Sequence, residues 1–132
     1  MKYLLTLYGD ESRRDDITPE QMQEGIKRWD AYTKEVQEAG ALLAGEGLQP
    51  TSDATTVQLQ EGADPIVTDG PFAETKEQLG GFYLLDCKDL DEALGWARKI
   101  PMPGGKVEVR PVMDYEAAGG SEFHTQEAGV QR

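Results

Sequence analysis

Cysteine and histidine are almost absent from this sequence, which contains one of each, Cys87 and His124. A single cysteine excludes an internal disulfide and fits a reducing compartment, so we expect a cytoplasmic protein. No cysteine and histidine cluster has the spacing of metal ligands. Glycine-rich patterns that bind nucleotides or phosphates are missing as well. The sequence therefore predicts neither a metal nor another cofactor.

Long apolar runs are also missing, and the mean hydropathy is -0.59, so we expect no membrane span. Residues 3–8 form a short apolar run near the N-terminus. The run is too short for a signal peptide, and Gly9, Asp10 and Glu11 stand where a small-residue cleavage site would be. A β-strand is the better interpretation.

Basic residues are scarce relative to acidic ones. Lysine and arginine number 13 against 25 aspartates and glutamates, which gives a formal net charge of -12. Such a chain repels the phosphate backbone of nucleic acids, so direct nucleic-acid binding is not expected. The charge favours solubility or contact with a basic surface of a protein partner.

Two segments are apolar on both faces of an extended chain, residues 2–8 and Phe82–Leu85. Strands of this kind lie at the centre of a sheet, so residues 80–86 and 2–8 are predicted as the two central strands. Further strands are predicted over residues 41–48, 54–60 and 106–112. Glu61–Pro65 reads as a turn, and Ile66–Thr68 leads into the next motif.

Two helices are predicted from capping and periodicity. The first begins after Thr18, with Pro19 at its first position, and ends at Gly40. The second runs from about Leu90 to Lys99 and is capped by Asp89. The first helix carries an apolar stripe at steps of three and four, formed by Met22, Ile26, Trp29, Tyr32 and Val36.

This element order predicts an α+β domain with a ferredoxin-like antiparallel sheet and two helices on one face. The other face must be buried by a partner, so we expect a homodimer of the dimeric α/β-barrel type. The domain spans residues 1–113. Residues 114–132 form a polar, glycine-rich tail without periodicity, which we expect to be dispensable for folding.

The most distinctive stretch begins with the turn Asp69-Gly70-Pro71-Phe72, continues with Ala73-Glu74-Thr75-Lys76-Glu77, and enters the central strand through Leu79-Gly80-Gly81-Phe82. In this register it resembles the YCII-related family, in particular the subgroup named for its Asp-Gly-Pro-Phe motif. The resemblance implies a small ferredoxin-like domain that dimerises through its sheet. It also implies one of two roles: some members are suspected enzymes with a His–Asp pair, and others are encoded with, or fused to, extracytoplasmic-function sigma factors. His124 lies beyond the matching segment, which argues against a histidine-based mechanism.

Asp69 is the candidate catalytic residue. A carboxylate at the end of a sheet, where clefts form, can serve as an acid or base if burial raises its pKa. The alternative is a structural aspartate that accepts hydrogen bonds from the amides of its own turn.

The candidate ligand-binding residues surround this motif and one further strand. They are Pro71, Phe72, Glu74, Lys76, Gly81 and Arg110. Each has a structural alternative. Glu74 and Lys76 fit a solvated one-turn helix over residues 73–78, the two glycines fit a bulge or a close-packing point, and Arg110 belongs to a polar row with Lys106 and Glu108 on the solvent face of an edge strand.

Two functions follow as hypotheses. In the first, the protein binds a small polar molecule near Asp69 and, if it is an enzyme, acts as a cofactor-free lyase or isomerase, with Lys76 or Arg110 holding an anion. In the second, it is a non-enzymatic regulatory module whose acidic surface contacts a partner in the sigma-factor or transcription machinery.

Overall fold

The computed structural model describes residues 1–117 and 119, so the predicted tail from residue 120 onward, with His124, lies outside the described residues. The elements, in chain order, are β1 (Lys2–Gly9), α1 (Pro19–Glu38), β2 (Leu42–Gly47), β3 (Thr55–Gln60), β4 (Ala63–Asp69), β5 (Gln78–Asp86), α2 (Leu90–Arg98) and β6 (Lys106–Pro111). Two short 3-10 helices span Glu11–Asp16 and Thr51–Asp53. None of the helices in this described part is both long and apolar enough to cross a bilayer.

The main sheet has four strands in the order β2-β5-β1-β6, and every neighbouring pair is antiparallel. The two segments that are apolar on both faces, β1 and β5, are its central strands. The prediction from the apolar pattern is therefore confirmed, because only a central strand in this sheet has a neighbour on each side. The architecture is a small α+β fold.

One face of this sheet is covered by both helices. Alternate residues of β1 (Tyr3, Leu5 and Leu7) are buried there, as is Leu85 of β5. They pack with a set of buried residues from the helices and loops, namely Tyr32, Val36, Ala41, Cys87, Ala93 and Ile100. Burial of a leucine in such a core contributes about 1.5–3 kcal/mol, so each buried leucine of this face stabilises the fold substantially.

The opposite face of the sheet, which we call the open face, carries no helix from the described residues. The register places Leu4 beside Leu84 and Thr6 beside Phe82, and all four side chains are only partly buried. The Thr6 hydroxyl oxygen is inaccessible to solvent and has no hydrogen-bond partner in the described part of the chain. The open face thus has an apolar centre that contains one unsatisfied polar atom.

Both helix starts follow the predicted capping chemistry. Thr18 and Gln21 form a capping box, in which the Gln21 amide donates to Thr18 Oγ1 (3.1 Å) and the Thr18 amide donates to Gln21 Oε1 (3.0 Å). Asp89 accepts from the Glu92 amide at 2.9 Å. These bonds satisfy amides that have no partner inside the helix.

The apolar stripe predicted for α1 is only half used. Tyr32 and Val36 are buried, but Met22 and Ile26 are 57% and 54% exposed. The reason is that only the second half of α1 lies directly against the sheet, while Ile26 lines an open cleft.

Strands β3 and β4 form a separate antiparallel hairpin. The turn predicted over Glu61–Pro65 is shorter than expected, because Gly62 takes a φ of 75° and strand β4 already begins at Ala63. One face of the hairpin carries Val57 and its paired residue Val67, which are 53% and 66% exposed. The hairpin therefore has an apolar face that residues 1–117 leave uncovered.

Candidate functional site

A cleft lies between α1, the edge strand β2 and the first half of β5. Its volume is about 880 Å³, which is within the range of small-molecule sites. One side of α1 faces it, through the residues Ile26, Trp29, Asp30, Thr33 and Gln37. These positions recur at helical spacing, so a single helix presents an apolar, an aromatic and several polar side chains to the same space.

The inner wall of the cleft is aromatic. The Trp29 and Tyr83 rings are stacked, with centroids 6.3 Å apart and an interplanar angle of 13°. The Tyr83 hydroxyl is hydrogen-bonded to Thr33 Oγ1 at 2.8 Å. A Cβ on Gly45 would lie 2.8 Å from the Tyr83 ring, so β2 can approach this ring only because residue 45 has no side chain. The wall is therefore fixed by packing on both sides and by a hydrogen bond.

Gly80 and Gly81 line the cleft where β5 runs beside β1 and β2. The pairing between β1 and β5 passes from Gly81 to Leu79, so Gly80 is an inserted residue at a bulge. A Cβ on Gly81 would lie 2.9 Å from the Glu46 carbonyl oxygen of β2. The structural interpretations of these glycines, a bulge and a close-packing point, both match the geometry.

Charged residues of the first 3-10 helix stand at the rim of the cleft. The Asp10 carboxylate accepts from Ser12 Oγ (2.6 Å) and from the Ser12 amide (2.9 Å). These hydrogen bonds, helped by the positive charges of Lys76 and Arg13, hold the pKa of Asp10 below its ordinary value. Glu11 accepts from the Thr51 amide (3.0 Å) and from Thr51 Oγ1 (2.7 Å). Both carboxylates thus accept hydrogen bonds from the protein's own loops.

Asp69, the predicted catalytic residue, lies outside this cleft. It ends β4 opposite Thr55 and its side chain is exposed. The turn is closed instead by the Gly70 amide, which donates to the Ala54 carbonyl (2.7 Å), and by Thr56 Oγ1, which donates to the Gly70 carbonyl (2.8 Å). Among the described residues, no group donates a hydrogen bond to the Asp69 carboxylate. Within one protomer, the Asp69 carboxylate therefore neither bonds to the amides of its own turn nor lies in an enclosed site.

The other predicted residues of the motif lie on an irregular loop. Pro71 is partly buried, whereas Glu74 and Lys76 are exposed and Phe72 is 91% exposed. Residues 73–78 do not form the predicted one-turn helix. Side chains bond to the local backbone instead: Thr75 Oγ1 donates to the Glu77 carbonyl at 2.7 Å, and Gln78 Nε2 donates to the Thr75 carbonyl. Lys76 nevertheless comes close enough to Asp10 to influence its titration at the cleft rim.

Arg110 lies on the open face of the main sheet, away from the cleft. Its register partner is Leu4 of β1, and its Nε donates to Glu108 Oε1 at 2.8 Å. The nearby Lys106 pairs with Glu77. The predicted polar row on β6 is thus confirmed, and its charges are neutralised within the row and by the loop before β5. The predicted ligand-binding residues are divided among the cleft, the motif loop and the open face.

Sequence reasoning missed the polar side of α1. The apolar pattern predicts Trp29 and the strand residues Phe82–Leu85 as parts of the core, and it gives no role to Asp30, Thr33 and Gln37. A signal was present, because Ile26, Asp30, Thr33 and Gln37 follow each other at steps of four, three and four. A polar row beside an apolar stripe, on a helix that packs against a sheet, indicates an edge of the helix that is in contact with solvent. Here that edge lines the cleft.

Comparison with known proteins confirms the resemblance at the level of the family. A family model described as the YCII-related domain matches residues 1–116, which contain every helix and strand described above. The chain belongs to the YCII-related family. A similar protein from Rhizobium meliloti (strain 1021), described as uncharacterized, is 42% identical over an alignment of 119 residues. The alignment covers 88% of this chain and 95% of the relative.

Proposed function

We propose that this YCII-related protein is a homodimeric binding protein for a small molecule, and that the ligand occupies the cleft beside α1. The supporting observation is the stacked Trp29–Tyr83 wall next to a space of about 880 Å³. Ligand sites are typically concave, mostly apolar and equipped with a few fixed polar groups. The cleft has each of these properties, with the Thr33–Tyr83 hydrogen bond and Asp30 as polar groups on its α1 side.

The proposed assembly is a ferredoxin-like dimeric α/β barrel, formed by packing two open faces together. The order β2-β5-β1-β6 supports it, as does the fact that no helix of the described segment covers Leu4, Phe82 and Leu84. A stable interface buries on the order of 1,600 Å² in total. A partner copy would also offer polar groups near the Thr6 hydroxyl, which has none within its own described chain. We assign the chain to the subgroup named for Asp-Gly-Pro-Phe because residues 69–72 spell that motif.

An acid–base role for Asp69 requires this assembly. The carboxylate is exposed in one protomer, whereas a catalytic acid or base is normally held in a site that is shielded from bulk solvent. Coverage of the hairpin by a second copy would supply that shielding. The enzymatic part of the proposal, a cofactor-free lyase or isomerase, therefore depends on the dimer, whereas binding in the cleft does not.

The second candidate is a regulatory module that contacts a protein of the transcription machinery. It is favoured by the exposed apolar residues outside the cleft, above all Phe72 at 91% exposure and Leu59 at 80%, and by the net charge of -12. On this proposal the hairpin and the motif loop, rather than the cleft, make the functional contact.

A ligand screen with a blocked cleft separates the two candidates. Ile26→Trp places a larger ring in the cleft without a change in charge, and Met22→Trp is the matched control one turn away, at similar exposure and outside the lining. We expect a thermal-shift screen against a metabolite library to give compounds that stabilise the wild type and Met22→Trp but not Ile26→Trp. Compounds that stabilise all three proteins equally would place the ligand elsewhere and contradict the proposal.

A further inference from the structure

The lining of the cleft has more acidic than basic residues. As far as the chain is described, it contains four carboxylates and one guanidinium. The carboxylates are those of Asp10, Glu11, Asp30 and Glu46, and the guanidinium is that of Arg14. In a chain with a net charge of -12, this imbalance gives the cleft a negative potential, which attracts cations and repels anions.

Most of these carboxylates already have partners. Asp10 is bonded to Ser12 and Glu11 to Thr51 at the distances given above, and Glu46 takes part in interactions of its own. Arg14 belongs to the short 3-10 helix that contains Glu11 and is capped by Asp10. The remaining carboxylate is that of Asp30.

The Asp30 carboxylate has no hydrogen bond or ion pair within the described residues, although two lysines lie within one turn of it on α1. Lys27 instead pairs with Glu24 at 4.0 Å, and Lys34 pairs with Glu38 at 3.9 Å. Asp30 faces the cleft between Ile26 and Thr33. The cleft therefore presents one uncompensated carboxylate on its α1 side.

The surroundings of Asp30 suit an organic cation better than a hydrated ion. Trp29, its neighbour in sequence, offers an indole ring to the same cleft, and Ile26 and Leu48 supply apolar surface. Aromatic rings attract cations through their electron-rich faces, most strongly in the case of tryptophan. A bare metal ion would find one carboxylate here, and no group of three or more histidines, cysteines or acidic residues converges in the part of the chain that is described.

We propose that the cleft selects a small molecule with a protonated amine on an apolar, preferably aromatic, body. Asp30 is the counter-ion of the ammonium group, Trp29 contributes a cation–π contact, and Ile26 packs on the apolar body. This inference rests on the proposed function, because it names the class of ligand for the same cleft.

The test uses three probes of similar shape and different charge: 2-phenylethylamine, which is protonated at pH 7, the neutral 2-phenylethanol, and the anion 3-phenylpropanoate. Calorimetric titration of the full chain should give a dissociation constant for the amine at least about tenfold lower than for the other two, since tenfold corresponds to one moderate interaction. Asp30→Asn should weaken amine binding by about tenfold and leave the alcohol unchanged. Glu24→Gln, which removes the same charge from α1 outside the cleft lining, should change amine binding by less than about twofold, because exposed charges are screened.

The outcomes are separable from those of the blocked-cleft screen. If the alcohol binds as tightly as the amine and Asp30→Asn has no effect, the proposed class of ligand is wrong. In that case Ile26→Trp can still abolish binding, which would leave the cleft as the binding site. Failure of the amine to bind likewise overturns the inference, whatever the library screen returns. Equal losses in Asp30→Asn and Glu24→Gln would show that only overall charge matters and that Asp30 has no specific role.

Discussion

The two faces of the main sheet are formed by the same strands but differ in how far their side chains are buried. On the covered face, Leu5 and Leu85 are fully buried by the helices. On the open face, their sequence neighbours Leu4 and Leu84 are paired with each other but only partly buried. Alternation along a strand sends successive side chains to opposite faces, so a strand that is apolar throughout specifies two surfaces to be buried. The helices of this chain complete one of them, and the second copy proposed above would complete the other.

The largest expected effect comes from the covered face. Leu5→Ala removes a fully buried side chain and should lower the free energy of unfolding by about 2–5 kcal/mol at every protein concentration. Leu4→Ala should cost clearly less in dilute solution, and its cost should grow with protein concentration as dimers form. Urea unfolding of both variants at two concentrations measures the difference. Equal, concentration-independent losses would contradict the contrast between the faces.

A charge on the open face should separate the copies without unfolding them. Leu84→Glu places a carboxylate in the proposed interface, and an unpaired buried charge weakens association strongly, by about a hundredfold or more. Leu90→Glu is the control, because Leu90 is exposed at the start of α2 and lies outside the sheet. Sedimentation should show dimers for the wild type and the control and monomers for Leu84→Glu. A wild-type monomer at micromolar concentration would rule out the assembly.

Burial in the core on the covered face should also make the free energy of unfolding depend on pH. Burial, reinforced by the negative charges of Glu92 and Asp86, raises the pKa of the Cys87 thiol to about 11. The unfolded thiol ionises nearer its ordinary pKa of about 8.5. The stabilising contribution is therefore complete below that value and is lost as the pH rises toward 11, with a slope of at most about 1.4 kcal/mol per pH unit.

The measurement compares wild type with Cys87→Ala in urea at pH 8 and pH 9.5. We expect the wild type to lose more stability than the variant over this interval. Staying below pH 10 limits the contribution of Tyr32, whose pKa is also raised, chiefly by burial. Parallel curves for the two proteins would mean that Cys87 is more accessible than its 2% exposure indicates.

The smallest effects are expected at Asp69, which belongs to neither face. Asp69→Ala should change stability by less than about 0.5 kcal/mol, because the side chain is exposed and the turn is closed by Gly70 and Thr56. Asp69→Asn should leave the affinity of a cleft ligand within about twofold of wild type. A large loss of affinity or turnover in Asp69→Asn, with stability intact, would instead support the sequence-based hypothesis that Asp69 meets the ligand, through a partner copy.

The structural features that the sequence predicted correctly are those that depend on residues close together in the chain. The capping box at Thr18 and the cap at Asp89 are local hydrogen bonds, and the two-sided apolar runs identify β1 and β5 as central strands wherever the other strands lie. Strand β4 was underestimated because it contains Pro65, which normally counts against a strand but is tolerated in a two-stranded hairpin.

The cleft could not be predicted in the same way. It depends on how far the first half of α1 stands from β2, a distance set by tertiary packing. The interpretation of Met22 and Ile26 as core residues failed for this reason, since helical periodicity identifies a face but not what covers it. The placement of Asp69 in the same cleft as Lys76 and Gly81 was assumed from their proximity in sequence. The hairpin carries Asp69 to an exposed turn, while β5 carries Gly81 into the cleft wall.

The stacking of Trp29 on Tyr83 gives this protein a natural optical probe. The chain has two tryptophans, and the second, Trp96, lies edge-on to Tyr32 with Lys99 Nζ 5.2 Å from its ring centre, among residues that do not line the cleft. Replacement of Trp96 by phenylalanine would leave a single indole whose fluorescence reports on the cleft alone. Its emission wavelength and quenching would then follow occupancy in real time, without any label, for ligands whose identity need not be known in advance.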